Sequence, residues 1–252
     1  MLTTIENDVE ITTPDGVSNA AFVHPETGAW PAVVIWPDAG GLRPAMRDMA
    51  KRLAAEGYSV LVPNPFYRVT REMLDFSKFD FRNPADRAKL GPLMASAGAP
   101  GHAEKDAAAF IAFFDSRKEV DKAKKIGTQG YCMGGKLALR TAATAPDRVG
   151  AAASFHGGGL VTDQPDSPHL LAPKIPANVY IGVAKNDDEK EPHAKDALRE
   201  AFGAKAEVEV YGSLHGWCIR DMPVMEGVVI YNEPDAERAW AKLLTLYKAA
   251  LV

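Results

Sequence analysis

The stretch Gly130-Tyr-Cys-Met-Gly134 follows a strand-like run at residues 125–129 and precedes a helix-like run at residues 136–143. A nucleophile flanked two positions away by small residues, between a strand and a helix, is typical of a nucleophile elbow. Glycine at both flanks removes the clash that a larger side chain would cause in this strained turn. The pattern predicts that Cys132 projects above the carboxyl edge of a sheet. The alternative is a buried structural cysteine before a glycine-rich helix start.

Two later loops supply the other members of a catalytic triad in the order that an α/β-hydrolase uses, namely nucleophile, acid and histidine. The apolar run at residues 177–183 leads into a polar loop that contains Asp187, the candidate acid, and its rival Asp188. A short alternating strand at residues 207–211 leads to the candidate base, His215. His156 also ends a strand, but it precedes the acid, so we interpret it as a pocket residue and as the next candidate for the base.

The oxyanion site should combine two backbone N–H groups. One belongs to Met133, directly after the nucleophile. The other should come from the loop after the first core strand, where Ala39 follows the apolar run at residues 31–36. Without the elbow, residues 37–41 would be interpreted as an ordinary turn.

Alternation of strands and helices predicts the fold class. Two strands joined across Pro14-Asp-Gly16 form an expected antiparallel pair at the N-terminus, and strand-like and helix-like segments alternate after residue 31. This pattern favours a single α/β domain over residues 1–252, a three-layer sandwich with a mostly parallel central sheet. Ala107, Phe110, Ile111 and Phe114 recur at helical spacing and should cover the sheet.

Residues 66–101 form a connection that is longer than compact domains normally use. We interpret this segment as a cap over the pocket. Its Arg68 and Arg82 are candidates for binding a substrate carboxylate through bidentate hydrogen bonds. The alternative is that these arginines are surface residues over a small aromatic cluster.

Composition excludes several classes of protein. The net charge of −4 shows no basic field of the kind that nucleic acid or an anionic membrane requires, and no segment approaches ~20 apolar residues. The N-terminus has no signal-peptide pattern, so the expected location is the cytoplasm. The two cysteines, Cys132 and Cys218, cannot form a disulfide framework. No spacing of cysteine and histidine matches a zinc site, so we expect the protein to use no metal or cofactor. We expect its substrate to be a small molecule and its assembly state to be a monomer or a weak homo-oligomer.

Three ordered motifs together resemble the dienelactone hydrolase (carboxymethylenebutenolidase) family: Gly-Tyr-Cys-Met-Gly-Gly at 130–135, Ala-Lys-Asn-Asp at 184–187 and Leu-His-Gly-Trp at 214–217. The similarity spans roughly residues 30–250. It implies an α/β-hydrolase fold and a triad of Cys132, Asp187 and His215. It also implies an acidic side chain that holds the resting cysteine, at the place of Asp38, and an anion-binding arginine after the histidine, near Arg220. We place Tyr131, His156 and Trp217 in the pocket.

These residues predict a cysteine-dependent hydrolase that cleaves an activated ester or enol-lactone through a thioester acyl-enzyme. A broader carboxylesterase or thioesterase with the same triad is the second hypothesis. The third is a non-catalytic, redox-responsive relative in which Cys132 senses oxidant.

Overall fold

One eight-stranded sheet crosses the protein in the strand order β1-β2-β4-β3-β5-β6-β7-β8. The computed structural model describes residues 1–72, 75, 78–80, 83–222, 224 and 227–252. The strands are β1 (Thr4–Thr13), β2 (Gly16–Pro25), β3 (Ala32–Trp36), β4 (Ser59–Pro63), β5 (Ile126–Tyr131), β6 (Val149–Phe155), β7 (Asn178–Ala184) and β8 (Ala206–Tyr211). The helices in the described residues are α1 (Pro44–Ala55), α2 (Pro84–Gly98), α3 (His102–Ser116), α4 (Met133–Thr144), α5 (Pro168–Leu171), α6 (Lys185–Lys190), α7 (Ala194–Phe202) and α8 (Glu233–Leu251).

The pairing directions confirm the predicted fold class. Strand β2 is antiparallel to both β1 and β4, and every other neighbouring pair is parallel. Strands β3, β4 and β5 are buried along their whole length, as expected for parallel strands that are covered on both faces. Their carboxyl ends therefore meet at one edge of the sheet, where the elbow and the triad loops begin.

Helices cover both faces of the sheet. Helices α1 and α8 pack on one face, where Met46 and Leu53 meet Leu243 and Tyr247 in one apolar cluster. Helices α3, α4 and α7 pack on the other face. The helical stripe predicted for α3 is confirmed, because its four members are all buried in the structure: Ala107, Phe110, Ile111 and Phe114.

Part of the predicted cap is a helix. Helix α2 begins after Asn83, whose side chain accepts a hydrogen bond from the N–H of Ala85, and it packs against α3 and α4. Leu90 on this helix and Phe79 before it form a small apolar cluster with Ala39. The segment therefore touches the loop that carries the predicted oxyanion donor, and its role as a cap stays a prediction.

Candidate active site

The elbow has the strained backbone that its sequence predicts. Cys132 joins β5 to α4 with φ 54° and ψ −122°, a conformation that residues other than glycine rarely adopt. A Cβ atom at Gly130 would lie 1.9 Å from the carbonyl oxygen of Gly134. The bend therefore closes only with glycine at position 130, and it leaves the Cys132 side chain partly exposed.

The loop after β3 touches the first turn of α4 through backbone atoms. A Cβ atom at Gly134 would lie 2.3 Å from the carbonyl oxygen of Trp36 and 2.5 Å from that of Pro37. This contact places the loop that contains Ala39 beside the turn that begins with Met133. The structure thus brings the two segments that carry the predicted oxyanion donors together.

Two neighbouring residues of α6 hold His215 in place. Its Nδ1 donates a hydrogen bond to Oδ2 of Asp187 at 2.6 Å, and its backbone N–H donates to Oδ1 of Asn186 at 2.7 Å. Asp188, the rival acid, accepts instead from Lys195 at 2.7 Å. The predicted polar loop after β7 is a short helix, which is why Asp187 and Asp188 point to different partners.

The imidazole of His215 and the thiol of Cys132 interact electrostatically. Burial opposes a charge on His215, but the hydrogen bond to Asp187 and then the contact with Cys132 outweigh it and raise the pKa of the ring to about 10. The Cys132 sulfur therefore lies within interaction range of His215. An imidazolium beside a cysteine favours the thiolate form, which is the nucleophile.

His156 lies directly behind this pair. Its ring centroid is 4.9 Å from that of His215, and its Nδ1 accepts a hydrogen bond from the Cys132 N–H at 3.1 Å. Burial, and then repulsion from His215, keep its pKa well below the usual value. His156 is thus a neutral, buried neighbour of the site, and its φ of 41° marks a second strained residue there.

Two other predicted pocket residues are buried packing residues. Trp217 stacks on Tyr211 beneath His156. Tyr131 stacks on Phe155 and accepts a hydrogen bond from Gln129. It also lines a cavity of about 710 Å³ between α1 and α8, whose described wall does not include Cys132, Asp187 or His215.

The candidate anion-binding arginines differ in their surroundings. Arg68 is nearly buried and forms ion pairs with Asp15 and Asp106, so its charge is neutralised within the chain. Arg220 is exposed and lies over the ring of Tyr231, and among the described residues no carboxylate lies within ion-pair distance of it. Arg82 lies outside the described residues.

Asp38, the predicted resting partner of the cysteine, is instead bound by Arg43.

Sequence analysis missed Arg43, Asp221 and Asn186. Of these three residues, only Asn186 could have been found from the sequence, because it lies inside the Ala-Lys-Asn-Asp motif.

Among the described residues, no group of three histidine, cysteine, aspartate or glutamate side chains could hold a metal ion. None of the described helices combines the length and the apolar character needed to cross a bilayer.

Comparison with known proteins identifies the family of the chain. The model of the dienelactone hydrolase family matches residues 19–251. The chain belongs to this family. It is therefore a hydrolase that acts on esters or lactones.

Individual relatives are distant. A carboxymethylenebutenolidase of Rhodococcus opacus is 28% identical over 163 residues, which cover 62% of this chain and 57% of the relative. A Salmonella typhi protein provisionally named as a carboxymethylenebutenolidase is 26% identical over 261 residues, which cover 93% of this chain and 88% of the relative. A dienelactone hydrolase-like promiscuous phosphotriesterase from metagenomic libraries shares the fold, with a TM-score of 0.76 at 22% identity and 99% coverage of both chains.

Proposed function

We propose that this family member is a cysteine hydrolase of activated esters and enol-lactones, and that it acts through a thioester on Cys132. The observation that carries the proposal is the pair of His215 and Asp187 joined at 2.6 Å, with the Cys132 sulfur coupled to the same imidazole. A nucleophile, a base and an acid that orients the base form the minimal set for acyl transfer.

In the first half-reaction, the Cys132 thiolate attacks the carbonyl carbon and forms a carbon–sulfur bond. The N–H groups of Ala39 and Met133 stabilise the oxyanion of the tetrahedral intermediate. The intermediate then collapses, the carbon–oxygen bond to the leaving group breaks, and Nε2 of His215 protonates the departing oxygen. Asp187 keeps Nδ1 protonated and so directs Nε2 toward the thiol.

In the second half-reaction, neutral His215 takes a proton from water, and the hydroxide attacks the thioester. The acid is released, and the sulfur leaves as thiolate. A thiolate is a better leaving group than an alkoxide, so attack on an ordinary alkyl ester tends to reverse. We therefore infer that enol esters, enol-lactones and aryl esters are the preferred substrates.

The test of the nucleophile is a substrate panel of cis and trans dienelactone, an aryl ester and an acyl thioester, assayed with the wild type and Cys132→Ser. We expect kcat/KM on the preferred substrate to fall by at least ~10²-fold. Cys218→Ala, which alters the second thiol in the buried core, is the matched control. Equal activity of the wild type and Cys132→Ser would remove the cysteine from the mechanism.

The test of the base is His215→Ala, with exposed His193→Ala as its control. We expect turnover to fall by at least ~10³-fold, because both proton transfers depend on this ring. A fall of less than about tenfold would reassign the base to His156. If no substrate were turned over while Cys132 reacted rapidly with peroxide, the redox-responsive hypothesis would replace the hydrolase mechanism.

A further inference from the structure

Arg43 connects two parts of the chain that are distant in sequence. It lies at the end of the loop after β3, immediately before α1, and only 3% of its side chain is exposed. Its Nη1 and Nη2 groups donate to the two carboxylate oxygens of Asp38, at 2.5 and 3.0 Å. Its Nε and Nη2 groups donate to the two oxygens of Asp221, 178 positions away, at 2.8 and 2.9 Å. Both contacts have the bidentate geometry that gives guanidinium–carboxylate pairs their directional strength.

The two carboxylates belong to the two loops that complete the candidate active site. Asp38 immediately precedes Ala39, and its Oδ1 also accepts a hydrogen bond from the N–H of Gly40 at 2.9 Å. Its carboxylate is therefore part of the turn that presents the second oxyanion donor. Asp221 follows His215 in the loop after β8. One buried guanidinium thus fixes the distance between the oxyanion loop and the histidine loop.

The hydrogen bonds from Arg43 also determine the direction in which the Asp38 carboxylate points. Both of its carboxylate oxygens accept hydrogen bonds from Arg43, which directs them toward the guanidinium. The thiol of Cys132, in contrast, interacts with His215. The acidic residue that would restrain a resting cysteine is therefore committed to a different partner.

We propose that Arg43 is a positioning residue that holds the oxyanion loop and the histidine loop in their working arrangement before substrate binds, so that Asp38 does not restrain Cys132. This inference rests on the proposed cysteine mechanism. Lysine cannot replace Arg43, because its single ammonium group cannot form two bidentate contacts. Loss of Arg43 also leaves the buried Asp38 carboxylate without its charged partner, which loosens the turn before Ala39.

The experiment compares Arg43→Gln, Arg43→Lys and Asp221→Asn with the wild type on an aryl ester. Asp221→Asn is the milder variant, since its side chain is 38% exposed and the contact between Arg43 and Asp38 remains. Arg47→Gln is the matched control: Arg47 lies one turn further along α1 and also bridges two carboxylates, Glu6 and Asp8, but it lies outside the site. Thermal unfolding of each variant verifies that the assayed protein is folded.

We expect kcat to fall by about 10-fold to 100-fold in Arg43→Gln and Arg43→Lys, with KM within about threefold of the wild type, because displaced catalytic groups weaken binding of the transition state more than binding of the substrate. Asp221→Asn should lower kcat by a smaller factor, and Arg47→Gln should leave it unchanged. A folded Arg43→Gln protein with wild-type kcat would overturn the proposal, as would a fold-change in Arg47→Gln equal to that in Arg43→Gln.

A second measurement does not depend on ester turnover. The rate of iodoacetamide modification at Cys132, located by peptide mass spectrometry, reports the state of the thiol without substrate. We expect the wild-type protein to react at pH 7 at least about tenfold faster than a cysteine peptide, and Arg43→Gln to react more slowly than the wild type.

The proposal would be overturned if Cys132 were modified slowly in the wild type and at least tenfold faster in Asp38→Asn, because Asp38 would then restrain the thiol. If Cys132→Ser kept full activity, the cysteine mechanism would fail, whereas the modification rates would still report on Arg43.

Discussion

At the scale of single residues, the elbow depends on glycines, because glycine has no Cβ atom. The carbonyl of Gly134 occupies the space where a side chain at position 130 would begin. No rotamer change relieves such a contact, because the backbone fixes the position of Cβ and the carbonyl oxygen belongs to the backbone. Gly158, in the loop after β6, has open space at the same position and no positive φ, so it can accept a methyl group.

We therefore predict that Gly130→Ala lowers kcat/KM by at least ~10²-fold or prevents folding, since the strand and helix must separate and the nucleophile moves with them. Gly158→Ala, the matched control, should stay within about twofold of the wild type in activity and folding. Esterase assays and circular dichroism of both variants check the prediction. A fully active Gly130→Ala protein would contradict the elbow geometry.

A second residue-scale prediction concerns pH. The pKa of His215 is raised from 6.5 to about 10 in the folded protein, so the protonated ring stabilises the fold. This contribution is fully present below pH 6.5 and is lost as the pH rises toward 10. Urea unfolding of the wild type and His215→Gln should therefore show a stability difference that shrinks over this range.

The control for the pH prediction is the same comparison in an Asp187→Asn background. Asp187 provides the hydrogen bond that most strongly raises the pKa of His215, so its removal should make the stability difference less dependent on pH. A difference that stayed constant between pH 6.5 and 10 in the wild-type background would show that the imidazole is not held in its charged form.

At the scale of elements, helices with a clear apolar stripe could be predicted from sequence, and helices without one could not. Helix α3 repeats its apolar residues at helical spacing, and its prediction is confirmed. Helix α2 contains Pro92 and two glycines and has no single apolar face, so sequence analysis treated it as an irregular connection. Helix α6 is six residues of mainly charged sequence that resembles a loop. Both form because of contacts outside their own sequence.

Helix α4 supplies an element-scale prediction. Arg140 is fully buried and forms ion pairs with Glu104 of α3 and with Asp166, and it also donates to the carbonyl groups of Gly98 and Ala99. One side chain therefore connects α4 to the end of α2 and the start of α3. Removing it leaves partly buried carboxylates and carbonyls without a donor.

We predict that Arg140→Leu lowers the free energy of unfolding by about 3 kcal/mol, as expected when one member of a buried ion pair is removed. Arg148→Leu, which breaks a half-exposed pair with Asp115, should cost less than about 1 kcal/mol. Urea denaturation of both variants gives the comparison. Equal losses would mean that α4 is not anchored through Arg140.

At the scale of the whole molecule, the candidate triad combines loops from three parallel strands, β5, β7 and β8. Sequence analysis could place these loops at one edge because strand order and triad order follow general rules of the fold. It could not pair Arg43 with Asp221, since neither residue lies in a motif and only the folded sheet brings them together. Long-range pairs between single charged residues leave no periodic signal in one sequence.

The second cysteine should report on opening of the whole fold. Cys218 is 7% exposed within the cluster formed by α1, α8 and the sheet, and burial raises the pKa of its thiol well above the usual value. In a Cys132→Ser background, we predict that thiol modification of Cys218 is negligible in buffer and rises over the same urea range as the loss of circular dichroism. Modification well below that transition would indicate local opening near the histidine loop.

The contact between Gly134 and the carbonyl groups of Trp36 and Pro37 involves no side chain on the loop side. The close approach of the two segments therefore depends on the absence of a Cβ atom at position 134 and not on any side chain of the loop. Any redesign of the cleft must therefore keep glycine at position 134, because every other amino acid would push these two segments of the chain apart.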